Sequence, residues 1–365
     1  MYVLNIDVKR IVRKIHELAK DMDDIKIMGF CGTHEYVISY YGIRSIMPDN
    51  VELIAGPGCP VCVVPASYID ECIRLALDGI RVFTYGDMYR VPGSKMSLSQ
   101  ARAEGADVKV VYSFLDAIKL ARDGKESVFF GVGFETTQPS VASRIVHGDV
   151  PENLKIVSAY RLTPPIMRYI LEEVKDIKIN GIIAPGHVST IIGSKAWEFL
   201  PKEFKLPVVV AGFEPYDVII AIFEILRQIK FKDFRLFNEY SRAVRGEGNV
   251  KAWQYVMKAF RISDASWRGI GLVEKSGLEL RNEFIKYDAK VEYGLKFKGG
   301  RDVIPGCRCA DVILGRAKPT DCPLFLKVCR PSSPKGPCMV SSEGTCAIWA
   351  RYGTLKIGIN LNLEE

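Results

Sequence analysis

The residues best suited to chemistry in this sequence include a pair of cysteines in the stretch GPGCPVC. Cys59 and Cys62 have C-x-x-C spacing, and two thiols placed this way can close a disulfide or share a metal ion. Pro65 and Ser67 are placed to begin a helix directly afterwards, and a helix N-terminus stabilises a thiolate. The alternative is two buried cysteines in a tight turn. We favour a redox or metal-binding role.

A third cysteine, Cys31, lies in GFCGTHE, with His34 three residues later. A thiolate and an imidazole on one turn could bind a metal ion such as Fe(II), or act as nucleophile and base. A cysteine near a histidine is often a coincidence. The glycine-rich surroundings nevertheless favour a functional role for this pair.

Three further polar side chains occur in similar glycine-containing motifs: Glu135 in GFETT, His187 in PGHVS and Glu214 in GFEPYD. They could orient a ligand or move protons. Turn stabilisation and helix capping explain them equally well, since four nearby residues are good N-cap residues: Thr136, Thr137, Ser189 and Asp217. The sequence does not decide between these two interpretations.

Six more cysteines lie in a proline-rich segment near the C-terminus: Cys307, Cys309, Cys322, Cys329, Cys338 and Cys346. Among them, Cys309, Cys322, Cys329 and Cys346 are separated by gaps of 12, 6 and 16 residues. This spacing matches neither the two close pairs of a structural zinc site nor the compact ferredoxin pattern. Thiolates on proline-stiffened loops favour an iron–sulfur cluster, with zinc as the alternative. Six candidates for four positions leave the ligand set open.

Buried strands must position these motifs. Apolar runs rich in β-branched residues predict such strands: IKIMGF, VELIAG, IRVFTYG, VKVVYS, SVFFGVGF, LKIVSAY, INGIIAPG and LPVVVAGF. Most precede an amphipathic stretch, and this alternation predicts an α/β fold with parallel sheets. Cys72, in contrast, shares a helical face with Ile69 and Ile73 and is predicted to be a core residue.

A weak internal repeat indicates the domain organisation. CGTHE, GPGCPV and GDMYRVPG are followed in a similar arrangement by GFETT, APGHVS and AGFEPYD. We therefore predict two related parallel-sheet domains, residues 1–122 and 123–230, that face a cleft, and a loop-rich C-terminal iron–sulfur domain at residues 231–365. Ligands of open parallel sheets bind beyond the carboxyl ends of the strands, which is where all six motifs fall.

Composition narrows the possible functions. The chain of 365 residues has a net charge of +7, but its basic residues are scattered, so we predict no nucleic-acid binding. No apolar run is long enough to span a membrane, and the amphipathic residues 1–20 do not form a secretion signal. We predict a cytoplasmic protein, in which clustered cysteines bind metal or do redox work more often than they form structural disulfides.

Together these motifs resemble the HypD family of hydrogenase maturation proteins. The resemblance covers nearly the whole chain and includes the tail motifs KPTDCPLF and MVSSEGTC. It implies two α/β domains and a third that carries a [4Fe–4S] cluster. It also implies two partners, the small chaperone HypC and the cyanide donor HypE. With HypC, such a protein would hold an iron atom while its cyanide and carbonyl ligands are attached, to form the Fe(CN)2CO group of [NiFe]-hydrogenase.

The resemblance also assigns roles to individual residues. Cys31 would bind the iron under assembly, with His34 nearby, and Cys59 and Cys62 would form a redox relay. The cluster ligands would be Cys309, Cys322, Cys329 and Cys346. Cys307 and Cys338 would be additional cysteines, and their presence leaves the ligand set open.

Two other functions remain open at this stage. One is an iron–sulfur-linked thiol–disulfide oxidoreductase, which would not need Cys31 and His34. The other is a non-catalytic scaffold stabilised by zinc. Metal analysis and a visible spectrum would distinguish these functions, because a zinc protein is colourless.

Overall fold

The computed structural model describes residues 8–353. Residues 1–7 and 354–365, the outer ends of the predicted first and third domains, lie outside the described residues. Within residues 8–353 the strands are β1 Ile25–Gly29, β2 Val51–Ala55, β3 Arg81–Thr84, β4 Val108–Val110, β5 Ser127–Gly133, β6 Leu154–Tyr160, β7 Gly181–Pro185, β8 Val208–Ala211, β9 Leu236–Asn238, β10 Phe260–Trp267 and β11 Gly271–Leu280.

The α-helices of the same residues, apart from short 3-10 turns, are α1 Val8–Ala19, α2 Gly32–Tyr40, α3 Ala66–Leu77, α4 Gly86–Tyr89, α5 Leu98–Ala103, α6 Phe114–Ala121, α7 Gln138–His147, α8 Thr163–Glu173, α9 Gly186–Ile192, α10 Phe199–Phe204, α11 Pro215–Phe231, α12 Val250–Ala259, α13 Ala289–Glu292, α14 Cys309–Ile313, α15 Pro337–Val340 and α16 Thr345–Tyr352. None of them combines the length and apolar character needed to cross a membrane.

The predicted α/β fold with parallel sheets is confirmed. Each of the eight apolar runs forms one of the strands β1 to β8, and all pairings among these strands are parallel. Every residue of β5 is buried. Such strands read as continuous apolar runs because helices cover both faces of the sheet.

The strands form two sheets whose composition differs from the predicted domains. The first sheet has the order β2-β1-β7-β8-β9, and the second has the order β4-β3-β5-β6. Each sheet therefore takes strands from both sides of the predicted boundary between residues 122 and 123, so the boundary does not separate the sheets. The repeat reflects strand–loop–helix units that look alike locally. Which unit pairs with which is decided by contacts distant in sequence.

The C-terminal region packs onto both sheets. One large buried cluster contains Met28 of the first sheet, Val82 of the second, Trp267 of β10 and Cys338 of the tail. A hairpin of β10 and β11 precedes the cysteine-rich segment. The stretch RGIGLVEKSGLELRNEF holds the turn and β11, and the polar-rich stretch FRISDASW forms the first strand of the hairpin.

Candidate functional site

Four of the motifs meet at one edge of the first sheet. Cys31 follows β1, GPGC follows β2, His187 follows β7, and Gly212 follows β8. Because these strands are parallel, their carboxyl ends lie at the same edge. The sheet therefore brings together loops that are up to about 180 residues apart in sequence.

Close backbone contacts hold Cys31 between two other segments. The backbone N–H of Gly32 donates to the carbonyl of Gly58 at 3.3 Å, and a Cβ added at Gly58 would lie 2.6 Å from the backbone of Cys31. A Cβ added at Gly32 would lie 2.6 Å from the carbonyl oxygen of Glu343. Only glycine fits at these two positions, so CGTHE packs directly against both GPGCPVC and the tail loop SSEG.

The Cys31 thiol is half-buried at the N-cap position of α2. Burial raises its pKa, hydrogen bonds from the backbone of His34 and Thr33 oppose that shift, and the charge of Glu343 adds to it. The free thiol is therefore protonated near neutral pH. Metal binding at such a group displaces the proton.

His34 is fully buried and faces the loop after β8. Its Nε2 lies 2.9 Å from the carbonyl oxygen of Gly212 and 3.2 Å from that of Ala211. Since carbonyls only accept, Nε2 must carry the hydrogen and Nδ1 the lone pair. Nδ1 has no hydrogen-bond partner within residues 8–353. Burial lowers the pKa of His34 to about 4, so the ring is neutral, which is the form that binds metal ions.

Phe213 connects the two histidines of this edge. Its ring stacks with that of His34 at 5.0 Å between centroids and with that of His187 at 4.0 Å. His187 is more exposed than His34, and burial of its ring lowers its pKa. Sequence analysis did not single out Phe213, although it lies inside the AGFEP motif. The sequence signal that could have identified Phe213 was an aromatic residue directly after a glycine at the end of a strand.

The two glutamates predicted as site residues lie at helix N-termini. Glu135 is fully buried and accepts hydrogen bonds from the backbone N–H of Thr163 at 2.7 Å and from its hydroxyl at 3.1 Å. Burial raises the pKa of Glu135 to about 7. Glu214 is exposed at the N-cap of α11, where its backbone N–H donates to Asp217 at 3.1 Å. Both placements agree with a capping role. Thr137 is the N-cap of α7 as expected, whereas the N-caps of α9 and α11 are Pro185 and Glu214 rather than Ser189 and Asp217.

Cys59 and Cys62 form a disulfide, one of the two states expected for the C-x-x-C pair. The residues are only 4% and 3% exposed. The backbone N–H of Cys62 donates to Cys59 Sγ at 3.2 Å. Cys62 also lines a small cavity together with Cys307 and Cys309 of the tail. The disulfide therefore lies next to the cysteine-rich segment.

Three tail cysteines form a possible metal-binding group. One sulfur each from Cys309, Cys338 and Cys346 lies within 4.8 Å of the other two, and Cys307 Sγ is 3.2 Å from Cys309 Sγ. A Cβ added at Gly336 would lie 2.8 Å from Cys309 Sγ, so this glycine makes room for the thiols. Buried soft sulfur ligands suit an iron–sulfur cluster or zinc.

The group overlaps only partly with the ligands implied by family resemblance. Cys309 and Cys346 belong to both sets, whereas Cys338 was expected to be an additional cysteine. Cys322 donates weakly to the carbonyl of Gly306 at 3.7 Å. Cys329 Sγ accepts from the backbone N–H of Lys335 at 3.3 Å, and burial raises its pKa, with smaller contributions from Cys309 and Cys307. Neither Cys322 nor Cys329 is in the three-sulfur group.

These features define a two-sheet α/β protein with a thiol–imidazole site at a sheet edge and a cysteine group in its tail. The family model for HypD, described as the hydrogenase formation hypA family, matches residues 7–353. The chain therefore belongs to the HypD family of hydrogenase maturation factors.

Individual relatives agree along nearly their whole length. HypD2 of Bradyrhizobium diazoefficiens is 46% identical over 91% of this chain and 90% of that protein. A putative hydrogenase expression/formation protein of Methanocaldococcus jannaschii is 44% identical over 94% of this chain and 97% of its own length. HypD of Escherichia coli is 40% identical over 90% and 89% respectively.

Proposed function

We propose that this chain holds an iron ion, as its substrate, at Cys31 and His34 while the Fe(CN)2CO group of [NiFe]-hydrogenase is assembled in the cytoplasm. A HypC-type chaperone would share the iron, and a HypE-type protein would deliver cyanide as a thiocyanate. The observation that carries this proposal is the unpartnered Nδ1 of His34, three residues from the half-buried Cys31 thiol. A thiolate and a neutral imidazole suit Fe(II).

The surroundings of His34 support this assignment. The carbonyls of Ala211 and Gly212 fix its tautomer by accepting from Nε2, as the second partners of metal-binding histidines commonly do. Stacking with Phe213 restrains the ring orientation. The residue is therefore prepared to offer one lone pair without rearrangement.

We also propose that the tail holds a [4Fe–4S] cluster. Cys309 and Cys346 are its ligands by both resemblance and proximity. The remaining two would come from Cys322 and Cys329, as the resemblance implies, or would include Cys338, whose sulfur lies beside those two. When bound, the cluster would supply single electrons. Cys59 and Cys62, next to the tail thiols, would hold reducing equivalents as a dithiol.

The primary test is Cys31→Ala in the complex of the full chain with a HypC-type partner. Iron retained after anaerobic desalting should fall to the background level, because the thiolate ligand is lost, while circular dichroism and tail-bound iron and sulfide stay unchanged. Cys72→Ala is the matched control, since Cys72 is a buried core cysteine of α3. Undiminished retention in Cys31→Ala would remove the assignment.

The cluster ligands are tested by single serine substitutions. Iron and sulfide analysis after anaerobic reconstitution should show cluster loss for Cys309→Ser and Cys346→Ser. If Cys338→Ser loses the cluster and Cys322→Ser keeps it, proximity identifies the third ligand; the reverse result supports the ligand set of the resemblance. A colourless protein that contains zinc would refute the cluster and support the scaffold alternative.

One observation favours a second candidate function. The closed disulfide beside the tail thiols also suits a thiol–disulfide oxidoreductase. Such an enzyme should reduce protein disulfides such as those of insulin, and Cys31→Ala should leave that activity unchanged. Loss of iron retention in Cys31→Ala, together with the absence of disulfide reductase activity in the wild type, would exclude this second function.

A further inference from the structure

Arg268 is an arginine buried between the disulfide and the tail. It follows β10 and is 4% exposed. Its backbone N–H donates to the carbonyl of Val63 at 2.7 Å, directly after the C-x-x-C pair. Its Nε donates to the carbonyl of Asp302 at 2.7 Å, and its Nη2 to the carbonyl of Pro92 at 2.9 Å. The guanidinium is therefore held rigidly in this location.

No carboxylate within residues 8–353 forms a direct ion pair with Arg268, although the charge of Asp302 acts on it. Each of its side-chain hydrogen bonds within residues 8–353 ends on a backbone carbonyl, and Nη1 has no partner there. The carboxylate of Asp302 accepts instead from the backbone N–H groups of Ala66 and Gly269, at 2.7 and 3.3 Å. A buried guanidinium stays protonated in proteins. It is costly without an anion nearby, because the interior solvates it poorly.

The negative charges of Asp302 and Asp70 act on Arg268, and the remaining groups beside it that can become anionic are sulfurs. Arg268 lines the same small cavity as Cys62, Cys307 and Cys309. Two other cations, Arg301 and Lys335, also border this cavity, but both are exposed, so water screens their charges. Arg268 is therefore the cation whose charge acts on these sulfurs with least screening.

We propose that Arg268 is a positioning residue whose fixed positive charge favours reduction of the Cys59–Cys62 disulfide by stabilising the thiolate formed at Cys62. In this step the S–S bond breaks and takes up two electrons and one proton, which gives one thiol and one thiolate. With dithiothreitol as reductant, its two thiols supply both electrons, become a cyclic disulfide and release two protons, one of which the protein takes up.

This inference deepens the proposed function, since it concerns the pair assigned there as a redox relay. It does not require that function to be correct. The effect of Arg268 is a property of the disulfide in the metal-free chain, whereas the proposed function is tested by iron retention at Cys31. A negative result for the disulfide equilibrium therefore leaves the iron-retention test unaffected, and the reverse also holds.

The test measures the reduction equilibrium of the disulfide in dithiothreitol redox buffers, with the full metal-free chain under anaerobic conditions. The reduced fraction is read from alkylation of the peptide that contains Cys59 and Cys62. Arg268→Gln should lower the equilibrium constant for reduction about tenfold, equivalent to about 30 mV for this two-electron couple. Arg268→Lys should stay within about twofold of the wild type, because the charge is kept.

Arg161→Gln is the matched control. Arg161 is equally buried, at 1% exposure, and also donates to backbone carbonyls, those of Tyr160 and Ser266, but it does not line the cysteine cavity. This variant should leave the equilibrium unchanged. Equal shifts in Arg161→Gln and Arg268→Gln, a tenfold loss in Arg268→Lys, or wild-type behaviour of Arg268→Gln would each overturn the proposal.

A second variant covers the case in which Arg268→Gln does not fold, as judged by circular dichroism. Ile304→Asp places a carboxylate at the border of the same cavity and leaves Arg268 in place. Neutralising its charge in this way should shift the equilibrium toward the disulfide, in the same direction as Arg268→Gln. No shift, or a shift toward the dithiol, would contradict the inference.

Discussion

The carboxyl edges of the two sheets look alike in sequence but use their polar residues differently. At the first sheet, His34 is buried with its Nδ1 unpartnered. At the second, Glu135 is equally buried, but both of its carboxylate oxygens accept hydrogen bonds from Thr163. A polar residue after a strand is therefore a stronger candidate for ligand binding when the fold leaves one of its hydrogen-bonding atoms unused.

Residues at the carboxyl edge of the second sheet bind the tail and position it against the carboxyl edge of the first sheet. Asp87, after β3, accepts hydrogen bonds from the hydroxyl of Ser341 at 2.9 Å and from the backbone N–H of Ser342 at 3.1 Å. The next tail residue, Glu343, packs against Gly32 beside Cys31. One edge thus presents the candidate ligands, and the other positions the segment that covers them.

The largest expected effect is on iron affinity, compared between single substitutions of the two buried residues, His34 and Glu135. His34→Gln retains an N–H donor for the carbonyls of Ala211 and Gly212 but loses the free imidazole nitrogen. It should weaken iron binding about a hundredfold in the complex with a HypC-type partner, whereas Glu135→Gln should change it less than about twofold. Anaerobic iron titration measures both affinities. Equal losses in the two variants would break the distinction between the edges.

A smaller effect is expected from substituting a glycine at a close contact between two loops. Gly58→Ala would force a Cβ to within 2.6 Å of the Cys31 backbone, so the loops must separate. We expect unfolding free energy to fall by about 3 kcal/mol, with weaker iron retention. Gly29→Ala is the control, because a Cβ there meets nothing within 4 Å. Denaturant unfolding compares them, and equal stabilities would show that the close approach is not required.

Local sequence was sufficient to predict the strands and most of the residues at the first edge. Continuous apolar runs predicted β1 to β8, and the motifs after them placed Cys31, His34 and Cys59 in the segments that follow β1 and β2. The interleaving of strands between the sheets was not predictable from the repeat, because similar units pair according to distant contacts. The assignment of Glu135 as capping or functional also needed the position of Thr163, which is 28 residues away.

The residues around the tail were harder to predict for the same reason. Cys338 looks like one cysteine among six, and only the packing of α15 on α16 brings its sulfur to Cys309 and Cys346. Arg268 lies in no motif, and its importance depends on Val63, Pro92 and Asp302, which come from three distant segments. The roles of both residues depend on contacts between segments that are distant in sequence, and no local sequence pattern predicts them.

The smallest expected effect tests whether Glu135 only supports the fold. Burial raises its pKa from 4.5 to about 7, so between these values the folded protein binds more protons than the unfolded chain. The stabilisation from this proton is complete below about pH 4.5 and is lost as pH rises through about 7. Relative to Glu135→Gln, the wild type should therefore lose on the order of 2 kcal/mol of unfolding free energy from pH 5 to pH 8.

Urea unfolding of both proteins at pH 5, 6.5 and 8 gives this difference directly, and other titrating groups cancel in the comparison. Glu172→Gln, at an exposed position of α8, the helix that begins at Thr163, should run parallel to the wild type at every pH. If the unfolding free energies of Glu135→Gln and the wild type also changed in parallel with pH, Glu135 would titrate alike in the folded and unfolded chains. Its hydrogen bonds with Thr163 would then not depend on a buried proton, and the contrast with His34 would have to rest on iron binding alone.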